Sequence, residues 1–346
     1  MAEFYDITKW SEKLWFQPGG TRDKVVIENP ATGELYFFKT SLLKIQKDYK
    51  HEFWSEIIAS EIGDILGFNI LKYNIAYNRG SIGCICKSMV SEGKNKLTEG
   101  ISYLTGYDTT YNPEDKTSKK QYTFQLIKES LEFFSLDKFI HKIIEIIILD
   151  SIISNGDRHQ ENWGIITDYN EVIKSIEDIA KKPEKHFGIK LLFSIMGITT
   201  KAKRKEVQEV AEKLYLFMPG QFSQIYDSGS CLGREKSDDS IAQMLTDSNM
   251  FEAYVRRGQS EIHWESKKLN HFELIRKIKN EYPESTVKCI TRVRKLFDIN
   301  KIKELVTNID ENLPATLSEH KLPLERKRFI NKLLTLRIEK LIEIIE

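Results

Sequence analysis

Short apolar runs that suit β-strands dominate the first part of the chain, and a single helical pattern interrupts them. Residues 51–67 carry apolar side chains at helical spacing and end in Gly67, which predicts an amphipathic helix with a glycine stop. The neighbouring runs are rich in β-branched and aromatic residues and are bounded by turn signals. We predict strands at 24–29, 34–41, 70–78 and 83–90.

The pattern changes to long helical periods in the second part of the chain. Residues 121–135 and 136–154 predict two helices, and the second is so apolar that it should be buried. The tail, 268–346, is almost wholly helical in pattern, with Lys and Glu interspersed. The chain therefore predicts an α+β fold with two lobes, a small β-rich lobe at 1–93 and a larger α-rich lobe at 94–346.

A segment at about 168–222 stands apart within the predicted second lobe. It contains two amphipathic helical patterns joined by the basic run TTKAKRK. A packed helical insertion with a solvated basic face is the ordinary interpretation of such a charge run. The alternative is a docking surface for an acidic protein partner.

Composition and charge exclude several classes of function. The chain is 40% hydrophobic and 30% charged over 346 residues, which is ordinary for a soluble globular protein and long enough for two cores. A net charge of +1 provides no overall attraction for nucleic acid or membranes. The four cysteines are scattered without CxxC-type pairs, so we expect reduced thiols and no zinc site. No apolar run is long enough for a membrane span, and the N-terminus lacks a signal pattern, so we expect a cytoplasmic protein.

The stretch SNGDRHQENWGII, at 154–166, places a polar cluster directly after the predicted buried helix. Asp157 and Asn162 lie five positions apart on the loop between that helix and a predicted strand. Phosphoryl transfer uses a carboxylate that accepts the proton of the attacking hydroxyl and a neutral oxygen that helps to hold a metal ion, and protein kinases use this spacing. The alternative is an ordinary polar turn at the end of a helix.

A second acidic position, Asp227, lies in QIYDSGSCLGRE at 224–235. A carboxylate on a tight turn permitted by Gly229 suits a divalent ion that bridges phosphates. An Asp-x-Gly turn also occurs without any such function, so this signal gains weight only from the other pieces.

The predicted first lobe supplies those other pieces. A glycine pair at Gly19 and Gly20 precedes a strand, and the next strand carries Lys39. Glycines let backbone N–H groups approach phosphates, and a strand lysine can pair with them. Glu52 and Glu56 lie one helical turn apart on the following helix, and either could pair with Lys39. The glycine loop, strand lysine, helix glutamate, linker strand, Asp-x4-Asn loop and Asp-x-Gly turn follow one another in that order along the chain, and chance would rarely give all six.

At these residues the sequence resembles the HipA-like kinase family. The loop DRHQENWG is the most specific part, because its form is shared with phosphatidylinositol 3- and 4-kinases. The segments GGTRDK, FWSEIIASEIGDILG and IYDSGSCLGRE resemble the family's glycine loop, pairing helix and metal-binding turn. The likeness is to compact members of the family, and it breaks at 168–222. It implies a bilobal protein-kinase-like fold with a nucleotide-binding first lobe and a catalytic second lobe.

The resemblance implies a role for each matching position. Asp157 would be the catalytic base, and Asn162 and Asp227 would hold magnesium. Lys39 would contact the nucleotide phosphates, with Glu56 rather than Glu52 as its partner.

Further positions would bind the nucleotide or support the loop. His159 would orient the catalytic loop rather than transfer protons. The expected contacts to the nucleotide phosphates are Gly19, Gly20 and Thr21. The expected contacts to the adenine are Ser88, Met89 and Val90, for which plain core packing is the alternative at Met89 and Val90.

The predicted function is an ATP- and Mg2+-dependent serine/threonine protein kinase that phosphorylates protein hydroxyls and itself. Two alternatives remain open. One is a binding module on a kinase fold, such as a toxin–antitoxin component or an effector released by a non-classical route. The other is a lipid kinase of the phosphatidylinositol type, for which only the basic run TTKAKRK offers a membrane-facing surface.

Overall fold

The computed structural model describes residues 1–13, 24–44, 47–115, 118–172, 174 and 216–346. These residues form two compact units, each built from more than one stretch of chain. The first unit comprises Met1–Ser88, His141–His159 and Gln224–Glu346. The second unit comprises Met89–Ile140 and Gln160–Ser223. The division into lobes at residue 93 stays a prediction, since the compact units are not continuous stretches of chain.

The first unit contains a six-stranded sheet in the order β1-β7-β8-β4-β3-β2. A separate two-stranded sheet, β5-β6, follows β4 in the sequence. β1 pairs with β7 in parallel and all other neighbours are antiparallel. The strands are β1 (Phe4–Asp6), β2 (Ser11–Glu12), β3 (Lys24–Glu28), β4 (Leu35–Thr40), β5 (Leu43–Lys44), β6 (Lys47–Asp48), β7 (Asn74–Asn78) and β8 (Ser81–Lys87). Ile27, Phe38, Ala76 and Ile85 form the centre of a core on this sheet.

The predicted strands are present, but two are shorter than predicted: the strand predicted at 83–90 ends at Lys87, and the one predicted at 70–78 starts late. The run 70–78 forms a strand only from Asn74, because Ile70 makes an isolated parallel bridge with Ile225 and Leu71 N donates to Ile225 O at 2.9 Å. Hydrophobic pattern alone could not separate these two kinds of pairing.

The helix predicted at 51–67 is α1 (Glu52–Ile65), and Gly67, just after it, has a φ of +76°, in the left-handed region that favours glycine. Burial extends around the helix from Glu52 to Gly63 rather than along one face. Three glutamates, Glu52, Glu56 and Glu61, are therefore buried together with the apolar residues, and buried carboxylates require partners.

The remaining helices of the first unit confirm the helical patterns of the second part of the chain. α4 (Ile140–Ile153) is the apolar helix, and its side chains from Ile143 onward are mostly buried. The later helices are α5 (Asp238–Thr246), α6 (Ser248–Arg257), α7 (His271–Glu281), α8 (Pro283–Leu296), α9 (Ile299–Thr307) and α10 (Leu324–Ile342). Asn270 and Asp298 accept backbone N–H bonds as caps of α7 and α9.

The second unit joins α2 (Gly100–Tyr107) and α3 (Phe124–Phe133) to an antiparallel three-stranded sheet. In that sheet β10 (Gly164–Asp168) lies between β9 (Asn95–Glu99) and β11 (Gln221–Phe222). Trp163 is fully buried here and donates from its indole N–H to Tyr122 Oη at 3.1 Å.

Most of the predicted insertion at 168–222 lies outside the described residues, so its two helical patterns stay predictions. Among the described residues, no helix is both long enough and apolar enough to pass through a bilayer.

Candidate active site

The centre of the candidate site is the ammonium group of Lys39 on β4. Lys39 Nζ is hydrogen-bonded to Glu56 Oε1 from α1, and it donates to Asp227 Oδ1 at 2.5 Å. The Lys39 side chain is 7% exposed and the Glu56 side chain is fully buried. Burial of this kind holds an ion pair in one geometry, because neither partner can exchange its contact for water.

Glu56 is fixed by a second contact from the segment that carries Asp227. Its Oε2 accepts from Ser228 N at 2.8 Å. Gly229 follows, and a Cβ there would lie 3.1 Å from the Glu56 side chain, so the glycine permits the close approach. Glu52, the other predicted partner of Lys39, is bonded instead to Arg234 and accepts from Leu42 N at 2.9 Å.

Asp227 adopts a left-handed backbone conformation with φ +55°. Such a conformation is uncommon for a non-glycine residue and concentrates at functional sites. Its backbone N–H donates to Tyr73 Oη at 3.3 Å. Burial, and then the nearby Glu56 carboxylate, raises the pKa of Tyr73 well above its usual range, so the phenol stays neutral. The Asp227 carboxylate itself is 15% exposed and remains accessible.

Asp157 lies on the loop that follows α4. The helix ends at Ile153, and Ser154 reverses the chain with φ +58°. Asp157 is exposed, and its Oδ2 accepts from Ser230 Oγ at 2.9 Å. Ser230 stands three residues after Asp227, so the Asp157 loop and the Asp227 turn meet within the first unit.

A buried ion pair between Asp150 and Arg158 anchors this loop to the end of α4. Asp150, in the last turns of α4, accepts from Arg158 Nε at 2.9 Å and from Arg158 Nη2 at 2.8 Å. Both side chains are nearly inaccessible, at 2% and 1%. The two parallel bonds form the bidentate arrangement that gives arginine–carboxylate pairs their geometric specificity.

Arg158 also reaches the turn that carries Asp227. Its Nη1 donates to Tyr226 O at 2.5 Å and its Nη2 donates to Ser228 Oγ at 3.1 Å. These two acceptors flank Asp227 in the chain, so Arg158 fixes the turn on both sides of the carboxylate. Asp150 and Arg158 were not among the predicted site residues. A charged residue inside the run IIILDSII, with an arginine eight positions later, is the sequence signal that could have revealed them.

The other predicted positions fall in several places. His159 is half-buried next to Asp157, and its backbone N donates to Asp157 O at 3.1 Å. Ser88 directly follows β8, and its N donates to Leu35 O at 2.8 Å; Met89 and Val90 come next and are half-buried.

Asn162 is buried in the second unit, two residues before β10, whereas the other predicted catalytic residues lie in the first unit. Gly19, Gly20 and Thr21 lie outside the described residues.

The chemistry of the site suits a hard cation and phosphate. One ammonium group, Lys39, faces two carboxylates, Glu56 and Asp227, so these three side chains together carry a net negative charge that attracts a divalent cation. Within the described residues, no group of three or more His, Cys, Asp and Glu side chains could hold a metal alone. Magnesium is usually held by one or two carboxylates together with substrate phosphates, and the accessible Asp227 fits that requirement.

Comparison with solved structures identifies the fold. The proinflammatory kinase CtkA of Helicobacter pylori matches 98% of this chain and 95% of its own, with a TM-score of 0.70 and 18% identity. The chain has the fold of CtkA. The mixed α+β architecture and the resemblance to HipA-like kinases are thus confirmed at the level of the fold.

A complex of HipA, HipB and operator DNA from Shewanella oneidensis MR-1 matches less well. The match covers 96% of this chain and 66% of that one, with a TM-score of 0.47 and 10% identity. No family model and no curated protein matches the sequence.

Proposed function

We propose that the protein is an ATP- and Mg2+-dependent serine/threonine protein kinase of the HipA-like type that also phosphorylates itself. The observation that carries the proposal is the position of Lys39 Nζ, bonded to the carboxylates of both Glu56 and Asp227 on a fold shared with the CtkA kinase. A lysine fixed by a helix glutamate beside a metal-type aspartate is the arrangement that kinases use to hold nucleotide phosphates.

Each residue of the cluster has a distinct task in this proposal. Lys39 exchanges its contact with Asp227 for nucleotide phosphate oxygens and neutralises part of their charge, while Glu56 keeps the ammonium group in place. Asp227 would hold magnesium, which when bound would neutralise charge that develops on the transferred phosphoryl group. Asp157 accepts the proton of the attacking hydroxyl, because its carboxylate is exposed and already accepts a hydroxyl hydrogen from Ser230.

The remaining predicted residues complete the nucleotide site in the same proposal. Asn162 is the second magnesium ligand, and His159 orients the Asp157 loop. Backbone groups of the glycine loop at 19–21 cover the phosphates. Ser88, Met89 and Val90 meet the adenine.

The acceptor and the partners follow from charge and chemistry. A protein hydroxyl is the proposed acceptor, and the proposed partner of the segment at 168–222 is an acidic protein that binds its basic run TTKAKRK. Direct nucleic-acid binding is not part of the proposal, since the net charge is only +1. The proposed place of action is the cytoplasm, and the alternative is release from the cell as an effector.

An acceptor screen tests this proposal. The purified protein is incubated with γ-labelled ATP and Mg2+, in parallel with a protein mixture and with vesicles that contain phosphatidylinositol. Label on serine or threonine of proteins, absent with the Asp157→Asn variant, is the expected result. Label in the lipid alone would make the protein a lipid kinase. Magnesium-dependent ATP binding without transfer to any acceptor would favour a binding module.

A further inference from the structure

The C-terminal helix α10 inserts one fully buried arginine, Arg337, into the first unit. Its Nε is bonded to Ser151 O, and its Nη1 donates to Val255 O at 2.7 Å. Its Nη2 lies 2.9 Å from His271 Nδ1. Burial lowers the pKa of Arg337 to about 10, which still leaves the guanidinium charged at neutral pH. Taking a charge out of water is costly, and the three hydrogen bonds of Arg337 offset part of that cost.

His271 passes the contact on to the loop after α4. An arginine can only donate, so His271 Nδ1 must accept, and its Nε2 therefore carries the hydrogen. That Nε2 lies 2.9 Å from Asn155 O, to which it donates. Burial, and then the charge of Arg337, lowers the pKa of His271 to about 3, so the ring stays neutral in the tautomer that both contacts need.

Asn155 connects His271 to Asp157 through its own hydrogen bonds. It is fully buried, and each of its polar groups has a partner. Its side-chain nitrogen donates to Asp150 Oδ1 at 2.9 Å, and its backbone N donates to Asp150 O at 3.0 Å. Its Oδ1 accepts from Asp157 N at 3.3 Å. The loop that presents Asp157 is thus held at its first residues by groups that come from α7 and α10.

We propose that His271 and Arg337 are positioning residues, which fix the backbone of the Asp157 loop through Asn155 and so place the Asp157 carboxylate for proton transfer. The inference rests on the proposed kinase function for the role of Asp157. Neither residue touches the nucleotide or the acceptor. They act through a chain of hydrogen bonds, and a misplacement of about 1 Å in such a carboxylate can cost about 100-fold in rate.

The same helix offers a matched control in Arg326. It too is largely buried, with 6% exposure, and it bonds Asp238 Oδ1 at 2.6 Å and Lys236 O at 2.5 Å. Its partners belong to α5 and the segment before it, not to the Asp157 loop. A general effect of losing a buried arginine from α10 would therefore appear equally in both variants.

The test compares Arg337→Met with Arg326→Met, and His271→Phe with His271→Gln, in the full chain. Two readouts are measured: hydrogen exchange of the peptides that cover 154–160, and the phosphotransfer kcat with the KM for ATP. Arg337→Met and His271→Phe should speed exchange in that loop and lower kcat about 100-fold with little change in KM. His271→Gln should recover most of both, because its amide N–H can replace the Nε2 donor. Arg326→Met should lower the melting temperature without either effect.

The result that overturns the proposal is equal loop exchange in the Arg337 and Arg326 variants, or equal behaviour of His271→Phe and His271→Gln. The two histidine variants keep a side chain of similar size, so they decide the matter even if Arg337→Met fails to fold. Hydrogen exchange needs no activity. If the wild type transfers no phosphate, the proposed function fails while the exchange data still decide whether the loop is held from α7 and α10.

Discussion

Lys39 Nζ lies 2.5 Å from Asp227 Oδ1, although the two residues are 188 positions apart in the sequence. The same ammonium group is bonded to Glu56, so a single positive charge serves two carboxylates. Together, Lys39, Glu56 and Asp227 carry one positive and two negative charges. A divalent ion and nucleotide phosphates would complete the balance of charge, and this is the physical basis of the proposed activity.

Replacing Lys39 with Met should destabilise the fold as well as end activity. Glu56 would remain as a fully buried carboxylate without its cation, and breaking a buried pair in this way costs about 3–5 kcal/mol. Urea denaturation of the variant measures the change in the free energy of unfolding. Lys87→Met is the control, because its pair with Glu34 lies on the exposed side of the same sheet and should contribute little. Equal stability of the two variants would contradict the account.

Asp157→Asn and Asp227→Asn should each abolish phosphotransfer, but for different reasons. Asp227 is assigned to the metal, so its variant should lose the Mg2+ dependence of ATP binding. Asp157 is assigned to proton transfer, so its variant should bind ATP and Mg2+ as the wild type does. Titration calorimetry with ATP at several Mg2+ concentrations separates the two effects. Asp239→Asn, on the exposed first turn of α5, is the control, and a loss of Mg2+-dependent binding in the Asp157 variant would reverse the assignment.

Ser230→Ala should lower kcat by less than about tenfold. Its hydroxyl donates one hydrogen bond to Asp157 at 2.9 Å, and the net value of one such bond to a charged group is about 1.5–3 kcal/mol in stability, of which only the part that orients the carboxylate enters the rate. Steady-state kinetics with ATP and an acceptor protein measure this change. A loss as complete as that of Asp157→Asn would show that Ser230 takes part in the chemistry itself.

The sequence could predict the elements of the fold and the order of the site residues, but not every pairing among them. Glu52 and Glu56 lie one turn apart, and the helix is buried all round, so its periodicity could not choose between them as the partner of Lys39. The choice depends on Arg234, which lies 182 positions away in the sequence and is hydrogen-bonded to Glu52.

The residues that support the Asp157 loop, His271 and Arg337, could not be predicted from the sequence pattern either, because their contacts also join distant parts of the chain. His271 contacts Asn155 across 116 positions, and Arg337 contacts His271 across 66. On sequence alone, an isolated histidine or arginine in a Lys-rich helical tail is typical of a solvated surface. Their burial follows from how α7 and α10 pack, which single-sequence periodicity does not contain. The aspartate of the Asp-x-Gly turn was found, whereas its left-handed backbone became visible only in the structure.

Acid should destabilise the protein partly through His271. Its pKa falls from 6.5 to about 3 on folding, so between these values the unfolded state binds more protons and stability rises with pH. The contribution is therefore complete above pH 6.5 and is lost as the pH falls towards 3. Between pH 6.5 and 4.5 the loss should be about 2–3 kcal/mol, at 1.36 kcal/mol for each unit. Denaturation of wild type and His271→Gln at both pH values measures the contribution of His271 to the free energy of unfolding. Equal pH dependence of the two proteins would contradict this prediction.

The cysteines should be unreactive in the folded protein. All four are free and buried, and burial raises the pKa of Cys86 and Cys289 to about 12 and that of Cys84 and Cys231 well above the usual range. Since the thiolate is the reactive form, a disulfide reagent at pH 8 should label none of them until the protein is unfolded. Labelling of the native protein faster than the protein unfolds would show that the thiols are accessible in the folded state.

The central claim is that the cluster around Lys39 and Asp157 transfers the γ-phosphate of ATP. The most direct measurement is incubation of the purified protein with ATP and Mg2+, followed by intact mass spectrometry, with Asp157→Asn and Asp239→Asn alongside. The account predicts added phosphate on the wild type and on Asp239→Asn, and none on Asp157→Asn. Equal added phosphate on all three proteins would contradict the role of Asp157, and absence of ATP binding by the wild type would contradict the site as a whole.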